Sequence, residues 1–212
     1  MIIVKKIYIV LTHSGTTLSK IIKGFTKDEF SHVSISLDKE LNEMYSFGRL
    51  NPYNPFWGGF VHEYIDKGTF KRFYKTRSKI YSLKITEEQY ESLKNNIKQI
   101  EQEKKNYKFN IIGLLAVGFH KKIQKEHYFY CAEFVKYVME KANINTVLPE
   151  LIRPESFKEI TGLKEIYSGQ LRNYHLQKIN IIKPQTNNLI MKLNFEYSLN
   201  KIEQYNNGDK NV

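Results

Sequence analysis

Hydrophobic and polar positions alternate strictly over Phe30-Ser-His-Val-Ser-Ile-Ser-Leu-Asp38, with Val33, Ile35 and Leu37 on one side and His32, Ser34 and Ser36 on the other. Period-two spacing predicts a β-strand with one face on a core and one polar face. An earlier run, residues 2–11, carries β-branched Ile3, Ile7 and Ile9 and predicts a strand buried on at least one face. Between the two, Thr12-His-Ser-Gly-Thr16 reads as a loop, and Thr16 or Thr17 is placed to cap a short helix ending near Phe25. Asp38-Lys-Glu-Leu-Asn42 is turn-like, so Glu43–Gly48 returns as the second arm of a hairpin. Residues 50–59, with two prolines and a Gly-Gly pair, predict a loop. Short strands are expected at Phe60–Tyr64, Phe70–Tyr74 and Ile80–Lys84.

Beyond residue 85 the period changes. Thr86-Glu-Glu-Gln has capping-box character and opens a helix with Tyr90, Leu93, Ile97 and Ile100 at helical spacing. A second helix is predicted at about 109–119. Tyr128-Phe-Tyr-Cys131 then leads into a third, Ala132 to about Ala142, with Phe134, Val135, Val138 and Ala142 as its apolar stripe. A short helix near 154–160 and a β-like Ile179–Lys183 come next, and the Asn-rich stretch from Gln185 is poorly patterned. The expected fold class is α+β, an antiparallel sheet that carries His32 with the helix beginning at Cys131 packed on it. One domain is expected over 1–184, with a polar extension over 185–212.

Composition narrows the class. At 212 residues with 41% hydrophobic and 26% charged positions, the chain is an ordinary globular one, long enough to bury its own core. The most apolar run, Phe109–Phe119, is far short of the ~20 residues of a membrane helix. Lysines interrupt the apolar residues of the amino terminus, which does not resemble a signal peptide, so the expected location is the cytoplasm. The formal charge of +11 attracts polyanions, and nucleic acid or an anionic membrane surface stays open as a partner. It is not favoured, because the lysines occur singly and in pairs with acidic residues between them.

A single cysteine excludes an intramolecular disulfide and any multi-thiolate metal centre. The histidines show no metal-ligand spacing, so no metal and no cofactor are expected. There is no Gly-x-Ser-x-Gly elbow and no phosphate-binding glycine loop. Cys131 stands at the start of a helix, where the positive end of the dipole and the open amides favour a thiolate and a developing oxyanion. His32, held on a strand, is suited to exchange a proton with it. Taken singly, each residue has a plainer reading: a small buried hydrophobe, and a hydrogen-bonded histidine on a sheet face.

Phe30-Ser-His-Val-Ser-Ile-Ser-Leu-Asp38, Met44-Tyr-Ser-Phe-Gly-Arg49 and Tyr130-Cys-Ala-Glu-Phe-Val135, in that order, resemble the circularly permuted branch of the papain-like, NlpC-type cysteine peptidase superfamily, the YiiX-like proteins. Tyr107–Leu115, Pro154-Glu-Ser-Phe157 and Ile166-Tyr-Ser-Gly169 extend the similarity over roughly residues 5–175. The resemblance implies an antiparallel sheet packed on a central helix, with Cys131 as nucleophile and His32 as general base. A third polar residue is then expected at the start of the next strand, where Glu43, Tyr45 and Ser46 stand. Glu133 also matches and is either structural or substrate-facing. Thr12 and His13 in the Ser/Thr/Gly loop, and Tyr130 beside the cysteine, are candidates for substrate contact. The implied activity is hydrolysis or acyl transfer at an amide or ester bond of a small-molecule, peptide or acyl substrate, peptidase or amidase foremost. A catalytically silent binding module on the same fold and a basic polyanion binder are the alternatives.

Overall fold

A computed structural model describes residues 3–15 and 28–175. The chain divides into two units, Met1–Arg172 and Asn173–Val212, and the sheet and helices named below belong to the first. The expected helix ending near Phe25, the β-like Ile179–Lys183, and the boundary at 184 lie outside the described residues.

The fold is α+β. Six antiparallel strands form one sheet, in the order β4-β3-β2-β1-β5-β8. They are β1 (Val4–His13), β2 (His32–Ser36), β3 (Met44–Asn51), β4 (Asn54–Glu63), β5 (Arg77–Thr86) and β8 (Lys164–Gln170). Two two-residue strands, β6 (Lys108–Phe109) and β7 (Tyr128–Phe129), pair in parallel apart from it. The helices are α1 (Gly68–Arg72), α2 (Glu87–Gln102), α3 (Ile111–Val117) and α4 (Cys131–Lys141), and Pro154–Glu159 is a 3₁₀ turn. Among the described residues no helix is long and apolar enough to cross a membrane.

The core forms where the alternating apolar set of the sheet meets the stripes of α2 and α4. Ile7, Ile9, Leu11, Val33, Ile35 and Phe47 share one buried cluster with Leu93, Ile97 and Ile100 of α2 and Phe134, Val135 and Val138 of α4. Phe134 lies between Phe47 and Phe60, its ring centroid 5.3 and 5.7 Å from theirs. α2 starts on the expected capping box, the Gln89 amide donating to Thr86 Oγ1 at 3.1 Å and the Thr86 amide to Gln89 Oε1 at 3.0 Å.

Three local expectations change. Residues 50–59 form no loop: β3 runs on to Asn51, Pro52 and Tyr53 make a tight turn, and β4 begins at Asn54. The Gly-Gly pair is there for close approach, since a Cβ on Gly58 would lie 2.7 Å from Phe109 Cγ and 2.9 Å from the Gly48 carbonyl oxygen. The strand expected at Phe70–Tyr74 is the single helical turn α1, entered through Gly68 at a φ of 54° and burying Phe70. Finally, the polar face of β2 is buried. Ser34 and Ser36, and Ser46 beside them on β3, are inaccessible and tolerated because each hydroxyl is hydrogen-bonded, to Glu63, to the Asp38 carbonyl and to the Val33 carbonyl respectively.

Candidate active site

β1 and β2 pair so that Thr12 stands opposite His32. The chain enters β2 through fixed points, the Phe30 amide donating to Glu155 Oε1 at 2.8 Å and the Ser31 amide to the Thr12 carbonyl at 3.1 Å. Cys131 is the first residue of α4, 4% exposed and in no disulfide. The start of that helix is latched from the side. Glu133 Oε2 accepts from the Tyr130 amide at 3.1 Å and from Asn110 Nδ2 at 3.2 Å, while Asn110 Oδ1 caps α3 through the Gly113 amide at 2.9 Å. Burial raises the Glu133 carboxyl, against these hydrogen bonds.

His32 and Cys131 meet. Both line one small cavity of about 70 Å³, and the neighbouring thiol raises the affinity of the imidazole for a proton. Nε2 of the ring lies 3.0 Å from Glu63 Oε1 and 3.3 Å from Oε2, at the last residue of β4. Ser34 joins the pair, its hydroxyl donating to Glu63 Oε2 at 2.5 Å and standing 3.3 Å from His32 Nε2. The side chains of His32 and Glu63 are only 22% and 11% exposed. Burial alone lowers the affinity of an imidazole for its second proton. Here the Glu63 charge and the neighbouring thiol outweigh it and hold His32 up, at about 10.

The third position is therefore filled from β4, and Glu43, Tyr45 and Ser46 do not meet the imidazole. Tyr45 pairs with Ile35 and lies in a ring stack with His62, at 4.6 Å, its phenol pushed up to about 12 by burial. Ser46 donates to the Val33 carbonyl at 2.7 Å, and Glu43 precedes β3, its amide donating to Asp38 Oδ1 at 2.7 Å. The antiparallel register explains this: stepping on from the Ile35–Tyr45 pair brings Gly48 opposite His32, so β3 has no side chain to offer. Glu63 is two strands away from β2 and opposite Met44. The alternation of Phe60-Val-His-Glu-Tyr64 carries its face, but a bulge between Arg49 and Asn51 shifts the pairing by two residues, so the turn alone does not place Glu63 along the strand.

The proposed substrate-contact residues separate. Thr12 lines the cavity, is 1% exposed, and its Oγ1 has no hydrogen-bond partner. His13 turns to Ser31, Nδ1 to Oγ at 3.3 Å. Tyr130 is buried and donates its hydroxyl to the Ile152 carbonyl at 2.8 Å, and Glu133 is committed to the helix start; neither lines the cavity.

The chain matches no protein-family model, no curated protein and no solved structure. Among the described residues, no group of three or more His, Cys, Asp or Glu side chains is placed to hold a metal ion.

Proposed function

We propose that the protein is a cysteine-dependent hydrolase or acyltransferase acting on an amide or ester bond, on a permuted papain-like, NlpC-type fold. The observation that carries the reading is one imidazole that shares a cavity with the single thiol and is hydrogen-bonded to a buried carboxylate. Glu63 holds the proton on Nε2, which leaves Nδ1 as the nitrogen that exchanges a proton with Cys131. The thiolate attacks the carbonyl carbon, forming a C–S bond while the carbonyl π pair moves onto oxygen. Amides at the start of α4 stabilise that oxyanion, with Thr12 in the cavity wall beside them. Collapse expels the amine or alcohol, which takes its proton from His32. Water or another acceptor then resolves the thioester, His32 taking the proton from it. The main ground for a silent binding module is the want of a carboxylate at Glu43–Ser46 that reaches the imidazole, and Glu63 removes that ground. Peptidase or amidase action comes first in this reading, and a reducing compartment such as the cytoplasm suits a lone working thiol.

The test is the rate of Cys131 alkylation by iodoacetamide from pH 4 to 10, in the wild type and in His32→Ala. With a single thiol there is no background. The wild type is expected to react at least ~10-fold faster than the variant near pH 6–7, with the gap closing at high pH. Superimposable profiles would overturn the mechanism. Turnover of acyl esters and short peptides, abolished by Cys131→Ala, completes the assay.

A further inference from the structure

The cavity that holds Cys131 and His32 is small for a ligand site. Its volume of about 70 Å³ has room for roughly five to seven water-sized groups, against the ~300–1,000 Å³ of a typical ligand pocket. A second cleft, of about 380 Å³, falls within that range but has neither Cys131 nor His32 in its wall. The two share four wall residues, Arg49 and Glu63 on the β3–β4 hairpin and Thr69 and Phe70 on α1. The reacting atoms and the space for a substrate are thus separated, and these four residues bound the junction.

On the α1 side, the buried ring of Phe70 stands next to the imidazole, its centroid 6.5 Å from that of His32. The turn that carries it is fixed by bonds of its own. The Lys71 amide donates to the Lys67 carbonyl at 3.2 Å and the Phe73 amide to the Thr69 carbonyl at 2.9 Å. Buried Thr76 closes the far end, its amide and its hydroxyl both donating to the Phe73 carbonyl. A flat ring on a fixed turn makes a rigid wall, and a rigid wall discriminates by shape.

We propose that Phe70 is a specificity-determining residue, which restricts the acyl group brought to Cys131 to one that is unbranched at the carbon next to the carbonyl. The inference rests on the hydrolase reading above and gives it a substrate class. The acyl part is the one that stays bonded to the thiol through both half-reactions, so it is the part that needs a seat beside it. Its bulk lies in the larger cleft, against Leu50, Phe60 and Val61, and a slender link passes Phe70 to place the carbonyl at Cys131. A branch at that carbon adds width where the small cavity has no room for it.

Two p-nitrophenyl esters of the same formula, the hexanoate and the diethylacetate, test it on the full chain. They differ only in branching next to the carbonyl, and the measured quantity is the ratio of their kcat/KM values, straight over branched. The intrinsic sluggishness of a branched ester enters every variant equally and cancels between them. Phe70→Ala is expected to lower the ratio ~10-fold or more, and Phe70→Trp to raise it. A general loosening of the fold would move both variants the same way. A ratio unchanged in both, or shifted in the same direction in both, overturns the proposal. Phe70→Leu, with a smaller fall expected, takes the place of Phe70→Ala if that variant does not fold. Where neither ester is turned over, the rate of Cys131 alkylation by iodoacetamide over that by the broader N-phenylmaleimide is compared in the same variants, and decides in the same way. Failure of the hydrolase reading appears elsewhere, in an iodoacetamide rate indifferent to His32→Ala.

Discussion

Glu63 ties the imidazole of His32 to the sheet, and its charge is the largest influence raising the affinity of that ring for a proton. Replacing it by Gln keeps the shape and removes the charge. Glu63→Gln is expected to lower the His32 titration midpoint, read by NMR, and to reduce turnover at least ~10-fold. Its stability cost depends on pH in a defined direction. A folded-state value raised above the ordinary 6.5 contributes stability that is complete below about 6.5 and disappears as pH climbs through about 10. The difference in Tm between wild type and Glu63→Gln should therefore narrow across that window. Thr12 gives the opposite trade. A buried hydroxyl with no partner costs about 1–3 kcal/mol, so the isosteric Thr12→Val should raise Tm while slowing turnover of an acyl ester. A fall in Tm would show that the hydroxyl supports the fold instead. At this scale the sequence is informative where the cue is local: a cysteine opening a helix, a histidine on an alternating strand. Glu63 is not legible there, because its link to His32 runs through two inter-strand registers that no short window contains.

Among the elements, the β3–β4 hairpin does the most for the site. It carries Gly48 beneath the ring of His32, Arg49 at the cleft and Glu63 at its far end. Gly58 lets Phe109 of β6 lie against the hairpin, and β6 in turn pairs with β7, which leads into α4. Gly58→Ala puts a methyl group onto a ring and a backbone carbonyl, and should cost about 1–3 kcal/mol in urea denaturation. Prolines and a glycine pair mark loops in most chains, which is why this hairpin is invisible to composition. Here Pro52 sits in the turn itself, and the glycines serve packing. The helices are plainer, because capping at Thr86 and the 3.6-residue stripes of α2 and α4 are written within each segment.

Over the whole molecule, the central strands are buried on both faces, although alternation predicts a polar, open side for β2. A serine-rich face looks solvated to any pattern of polarity; what allows its burial is that its hydroxyls are hydrogen-bonded, Ser34 to Glu63 and Ser36 to the Asp38 carbonyl. The α+β class is legible in separate strand and helix patterns, whereas β1 joining β2 to β5 is a long-range pairing that only the folded chain reveals.

The turn at Pro52 and Tyr53 also counts. Side chains on β4 alternate, with His62 and Tyr64 on either side of Glu63. One residue added to that turn would carry the whole of β4 forward by a single position and turn Glu63 to the opposite face, with His62 in its place. Two added residues would restore the face but move the acid along the strand. The turn thus acts as a ruler with odd and even marks, and an insertion series there should produce activity that depends on parity.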